Sequence, residues 1–172
     1  QTGIAKISGK NRVQGSVQLR TKDYDIDDLG YTGQTNYIRY IGSYNYRILQ
    51  PKGFLNNMFL NLNVIHWRRL EPDLYSELIL NFNSSFTTKD FLNFGGGFET
   101  TPFGTNDIYE PRVDGRYVKV PAYYDQWLWF ATDFRKKLSF QATADWYKYD
   151  EKGRGRLILE LVPRLRISDK FK

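Results

Sequence analysis

The chain has 172 residues, no cysteine, a single histidine, and 25 Lys and Arg against 19 Asp and Glu, for a formal net charge of +6. That length suits one domain, and the missing cysteine excludes disulfide frameworks, thiolate metal sites and cysteine nucleophiles. The positive charges are spread along the chain rather than gathered in a block, which argues against nucleic acid as a partner.

Aromatic residues reach 17%, with 13 Tyr, 12 Phe and 4 Trp, yet the mean hydropathy is only -0.58. A wall with one face in lipid and the other in water gives this mixture, because only alternate residues need be apolar. No stretch approaches the ~20 apolar residues of a membrane helix, and the first residues lack the charged and apolar regions of a signal peptide. The expectation is that a leader was removed or that the chain begins inside a larger protein.

In chain order, two modest strands are expected over 3–8 and 12–20, followed by a long Asp-, Tyr- and Gly-rich loop over 21–34. The clearest strand covers 36–48. Ile38, Tyr40, Gly42, Tyr44, Tyr46 and Ile48 fall on one parity, and Arg39, Ser43, Asn45 and Arg47 on the other. Met58, Leu60, Leu62 and Val64 then oppose Asn57, Asn61, Asn63 and Arg69. Leu78, Leu80, Phe82 and Phe86 oppose Glu77, Asn81, Asn83 and Ser85. Further strands are expected over 91–100 and 122–135, with a second long loop over 101–121 between them. Leu138, Phe140, Ala142, Ala144 and Trp146 oppose Ser139, Gln141, Thr143 and Asp145. In the last strand Leu157, Leu159, Leu161 and Leu165 oppose Arg156, Glu160, Arg164 and Arg166. Sustained period two is the signature of half-buried strands, and no long helical pattern interrupts it.

Both long loops are even-numbered connections, whereas the odd-numbered ones are mostly tight turns. An up-and-down meander puts odd and even connections on opposite sides, and outer-membrane barrels have short periplasmic turns and long extracellular loops. Tyr37, Trp67, Tyr75, Tyr123, Tyr124, Trp146 and Tyr149 lie toward the loop side. Tyr46, Phe59, Phe86, Phe91, Phe134 and Phe140 lie toward the turn side. The two sets are expected to form interfacial girdles. The fold expected is therefore all-β, an antiparallel up-and-down transmembrane β-barrel occupying residues 1–172, with about nine strands. The competing reading is a soluble barrel or β-sandwich. Nine is odd, single-chain bacterial barrels have even counts, and Ser168 to Lys172 read as a turn into a further strand. The chain is thus expected to be a partial barrel lacking N- and C-terminal strands, with a small eight-stranded barrel as the other count.

Three strings carry a family resemblance: Asp25-Ile26-Asp27-Asp28-Leu29-Gly30-Tyr31, Tyr109-Glu110-Pro111-Arg112, and the run from Trp129 to Lys137. Together and in this order they resemble the C-terminal barrel domain of a poorly characterised Bacteroidota outer-membrane family. In that family the barrel follows an N-terminal carbohydrate-binding-like domain of family nine type. The resemblance implies a place in the outer membrane and glycan-related work, and it supplies no catalytic residues.

Several groups are candidates for chemistry. Asp23, Asp25, Asp27 and Asp28 have the opening spacing of a calcium loop, but Asp28 stands where the turn glycine belongs and Gln34 where the bidentate Glu belongs. The alternative is a solvated acidic loop, and no other cofactor is expected. His66 has no nearby hydroxyl to activate, so it is expected at the membrane interface rather than in a catalytic triad, and no enzyme activity is expected. Trp127 and Trp129 share parity with Asp125 and Asp133; indole faces beside carboxylates suit stacking on a sugar, or packing inside the barrel. Arg39, Arg47, Arg69, Glu77, Glu99, Arg135, Asp145, Glu160 and Arg164 are expected to point inward together with Arg12, Arg20 and Arg166. A wall of both signs either tunes solute selectivity or braces the barrel through ion pairs. Gly95-Gly96-Gly97 has no phosphate-loop context and is read as a barrel corner.

The function expected is solute passage or binding, oligosaccharides included, in the outer membrane of a Gram-negative bacterium. The alternative is a structural barrel subunit that anchors a larger outer-membrane complex. Outer-membrane lipids are the expected partners, with a glycan and other proteins of the complex as further candidates.

Overall fold

The computed structural model describes residues 1–24, 34–113 and 115–168. Its elements, in chain order, are all strands: β1 (Thr2–Lys6), β2 (Asn11–Arg20), β3 (Tyr37–Ile48), β4 (Leu55–Arg69), β5 (Leu74–Thr88), β6 (Asn93–Thr100), β7 (Thr105–Asp107), β8 (Val118–Val120), β9 (Tyr123–Ala131), β10 (Leu138–Tyr149) and β11 (Gly155–Leu165). Nine of them form one antiparallel sheet in the order β1-β2-β3-β4-β5-β6-β9-β10-β11, and β7 and β8 form a separate two-stranded hairpin. No helix occurs among the described residues. The nine strands and their up-and-down order are those expected from the alternation. The sheet is not closed, and β1 and β11 are its two edges.

Register explains why the alternation reads so clearly. Partners across an antiparallel pair project to the same face. The pairs Val13↔Tyr44, Tyr44↔Leu62, Leu62↔Phe82 and Phe82↔Phe98 therefore share one face. So do Leu128↔Ala144 and Ala144↔Leu159 at the other end of the sheet. The opposite face carries Arg12↔Asn45, Asn45↔Asn61, Asn61↔Asn83 and Glu99↔Asp125. The first face is mainly apolar and the second mainly polar from β2 to β11.

No element covers the apolar face among the described residues. Among the described residues the buried hydrophobics are Tyr37, Ile48, Ile108 and Ala131, whereas Ile4 is 82% and Leu159 70% exposed. The accessible surface is 11946 Å²; a compact soluble monomer of 20.3 kDa would expose roughly 8,800 Å². The described residues form a single layer with one apolar, uncovered side, the kind of surface that marks an interaction site.

The long connections 21–36 and 101–122 both emerge at one end of the sheet, where the short turns 70–73 and 150–154 also lie. The girdles differ from expectation. Tyr75, Tyr124 and Trp146 do reach the apolar face at the loop end, where Tyr40–His66–Tyr75 and Phe98–Tyr124–Trp146 form two rows of ring contacts at 5.7–6.1 Å. Tyr37, Trp67, Tyr123 and Tyr149 are on the polar face instead, because each pairs in register with a polar-face position. Phe59 is also on the polar face, and Phe91 and Phe134 lie in turns, so the turn-side row comprises Tyr46, Phe86 and Phe140.

Gly95-Gly96-Gly97, expected at a barrel corner, is part of a continuous strand. It lies within β6, and its ladders to β5 and β9 run without a register shift. The glycines are needed for close approach. A Cβ on Gly97 would come 2.6 Å from Cζ2 of Trp127, and one on Gly95 3.0 Å from Cε2 of Trp129. The two indoles lie over bare backbone.

Candidate functional site

The polar face is the part of the molecule with chemical variety, and its charges are sorted by strand. On β2, β3 and β4 it carries Arg12, Arg20, Arg39, Arg47 and Arg69, and these strands contain no Asp or Glu. From β5 to β11 it carries Glu77, Glu99, Asp125, Asp145 and Glu160, joined by Arg156 and Arg164. The nine-stranded sheet has no carboxylate on its apolar face. The three cations there, Lys6, Arg68 and Lys148, are all at or next to strand ends. Cations at such positions can carry their charge past the edge of the apolar face along their alkyl stems.

A ladder of amides joins the two halves. Asn61 donates to Asn45 at 2.8 Å, and Asn63 donates to Asn61 and, at 3.1 Å, to Asn81. Asn83 donates to Asn81 at 2.6 Å, and Asn81 donates to Glu99 at 3.2 Å. The other oxygen of Glu99 accepts from the Tyr123 hydroxyl. Tyr123 begins a cluster with Tyr147 and Tyr149, with ring centroids 5.0–6.0 Å apart, and the Arg154 guanidinium sits 3.6 Å from the Tyr149 centroid.

Of the salt bridges and hydrogen bonds expected along this wall, Arg156 and Asp145 form an ion pair at 3.8 Å. Arg39 lies 3.7 Å over the Trp67 ring instead, and Glu160 accepts from Thr143 at 3.3 Å. The Nε atoms of Arg12, Arg39 and Arg47 and one oxygen each of Asp125 and Asp145 are buried without a hydrogen-bond partner. Arg135 is not part of the wall. It sits in the β9–β10 turn, where it donates to Asp133 at 2.9 and 2.8 Å and lies 3.5 Å from the Phe91 centroid. That bond, with the Arg135 backbone N–H, holds the Asp133 carboxyl down to about 2. Arg166 lies just past β11, its backbone N–H bonded to Lys137.

The structure brings Asp125, Trp127 and Trp129 onto one face of β9, with Asp145 opposite Trp127. Asp133 is beyond the far end of that strand and apart from them. Of the calcium candidates, Asp23 is exposed, and Asp25, Asp27 and Asp28 lie outside the described residues. No group of three or more metal-binding side chains occurs among the described residues.

At the loop end, the connection from β6 to β9 folds back onto the sheet. A bulge in β5 leaves Ser76 out of the ladder, between the pairs Trp67↔Glu77 and Arg68↔Tyr75. The groups freed there hold β7. Ser76 donates to the Asn106 carbonyl at 3.2 Å, Asn106 donates to the Tyr75 carbonyl at 2.9 Å, and Tyr75 donates to the Gly104 carbonyl at 3.1 Å. On the polar face Thr105 donates to Glu77 at 3.3 Å, and the Tyr109 ring lies 6.3 Å from that of Trp67. The Tyr109 hydroxyl donates to the Thr35 carbonyl at 3.1 Å, tying the second long connection to the first. Burial pushes this hydroxyl up to about 12. A cavity of about 510 Å³ lies between the two connections, lined by Lys22, Asn36, Arg69, Ile108, Tyr109 and Arg112 among others.

The family described as a domain of unknown function (DUF5916) matches residues 1–172. The chain belongs to the DUF5916 family. No curated protein and no solved structure matches it. The polar face of this DUF5916 chain is thus described by its own geometry. The folded-back hairpin, the amide ladder and the tyrosine cluster were not anticipated from sequence. The ladder's sequence signal is shared parity: Asn45, Asn61, Asn63, Asn81 and Asn83 all alternate with apolar residues.

Proposed function

We propose that this chain forms part of a transmembrane β-barrel in the outer membrane of a Gram-negative bacterium, with the apolar face against lipid and the polar face lining a lumen. Solutes, oligosaccharides among them, pass along or bind to that lumen. One observation carries the reading: all five carboxylates of the nine-stranded sheet share a face, while the other face is apolar, uncovered and charged only toward strand ends. A soluble single-layer sheet gains nothing from that arrangement, whereas lipid demands it. Strands of 9–15 residues in β3–β5 and β9–β11 suit the ~9–11 residues needed to cross a bilayer.

The glycan element rests on the resemblance to the Bacteroidota barrel that follows a carbohydrate-binding-like domain, and on Trp127 and Trp129 beside Asp125. Reconstitution of the full-length protein into a planar bilayer tests passage. Discrete conductance steps are expected, and a silent bilayer with correctly inserted protein overturns the proposal.

A further inference from the structure

We propose that the polar face selects solutes carrying both a positive and a negative group, binding the anionic end at the arginine half and the cationic end at the carboxylate half. This rests on the reading of the face as a lumen wall. Five arginines and no carboxylate on β2–β4, against five carboxylates and two arginines on β5–β11, separate the signs along the sheet. The Asn45-to-Glu99 amide ladder lies between the two sets.

The pairing seen on this face does not join the two halves: Arg156 lies 3.8 Å from Asp145 within the carboxylate half, and Arg39 rests 3.7 Å over the Trp67 ring within the arginine half. Charges of opposite sign held on separate parts of a lumen wall make a field across the path of a solute. A singly charged solute is drawn to one half and repelled by the other. A neutral sugar gains from neither. A zwitterion aligns with the field and meets both halves favourably.

The ladder and the hairpin add shape to this chemistry. The segment 101–122 folds onto the polar face at Glu77 and Trp67, on the loop side of both halves, so a solute entering there passes the sorted charges after the hairpin.

The experiment uses the full-length protein in liposomes and planar bilayers, with glutamine as zwitterion, glutamate as anion, lysine as cation and arabinose as uncharged probe. Glutamine is expected to enter several-fold faster than arabinose, a solute of similar size. Arg12→Gln with Arg47→Gln is expected to shift the KCl-gradient reversal potential toward cation selectivity, and Asp125→Asn with Asp145→Asn toward anion selectivity. Each pair should abolish the glutamine preference, and Arg12→Lys with Arg47→Lys should retain it. Shifts of the same sign, or a glutamine rate equal to that of arabinose in a conducting wild type, overturn this proposal alone. A wild type that admits none of the probes overturns it together with the lumen reading.

Discussion

The indole of Trp127 and the Phe82 carbonyl oxygen together occupy the space that any side chain on Gly97 would need, with the indole Cζ2 only 2.6 Å from the position of an added Cβ. Strand β6 is thin where the β5 backbone and the β9 tryptophans close on it. Gly97→Ala is therefore expected to destabilise the sheet by about 1–3 kcal/mol through overpacking. Gly42→Ala, where a Cβ meets nothing within 4 Å, should change stability by less than about 0.5 kcal/mol. Urea unfolding of both variants in lipid vesicles checks the contrast.

Adjacent residues of β10 provide a test of the two faces. Ala144 pairs with Leu128 and Leu159 on the apolar face, and Thr143 pairs with Trp129 and Glu160 on the polar face. Ala144→Arg is expected to cost about 2–4 kcal/mol, the range for a cation facing mid-bilayer lipid. Thr143→Arg gains Glu160 as a partner and should cost under about 1 kcal/mol. Equal tolerance of both, read by folding yield and unfolding midpoint in vesicles, would point to water on each side.

The β9–β10 turn should be acid-sensitive. Arg135 holds the Asp133 carboxyl at about 2, below its ordinary 3.8. A depressed carboxylate stabilises the folded state above its unfolded value, and that contribution fades as pH falls from about 4 toward 2. Asp133→Asn should remove this component of acid sensitivity while leaving the rest of the pH profile in place. Unfolding midpoints of wild type and variant between pH 2 and 6 measure the difference.

The amide ladder should behave as a unit. Asn63 bridges Asn61 and Asn81, and Asn81 bridges onward to Glu99. Asn63→Ala leaves amide groups short of partners and is expected to cost about 1–3 kcal/mol. A double-mutant cycle with Asn81→Ala should show coupling of at least ~0.5 kcal/mol, as expected for members of one network.

Much of this architecture was legible from period-two alternation. Leu60, Leu62 and Val64 against Asn61 and Asn63 fix both a strand and its two faces, because lipid or core selects every second residue. Parity within one strand does not give cross-strand neighbours, so the Asn45-to-Glu99 ladder required the register. The aromatic girdles were misread for Tyr37, Trp67, Tyr123 and Tyr149, since distance along a strand shows the end a ring is near and not the face it is on. The β7–β8 hairpin was hidden because three-residue strands carry no periodicity, and its anchor, the Ser76 bulge, breaks the β5 pattern at one residue only. Arg135 was placed in the wall by parity counted past the end of β9, where alternation no longer applies.

The most direct test of the central claim exploits the absence of cysteine. Single cysteines placed in turn at positions 58 to 65 of β4 in the full-length protein, spin-labelled in lipid bilayers, report contact with oxygen dissolved in lipid or with a water-soluble nickel complex. The account predicts oxygen maxima at Met58, Leu60, Leu62 and Val64, alternating with nickel maxima at Phe59, Asn61, Asn63 and Ile65. Nickel access at every position, with no alternation, would contradict it.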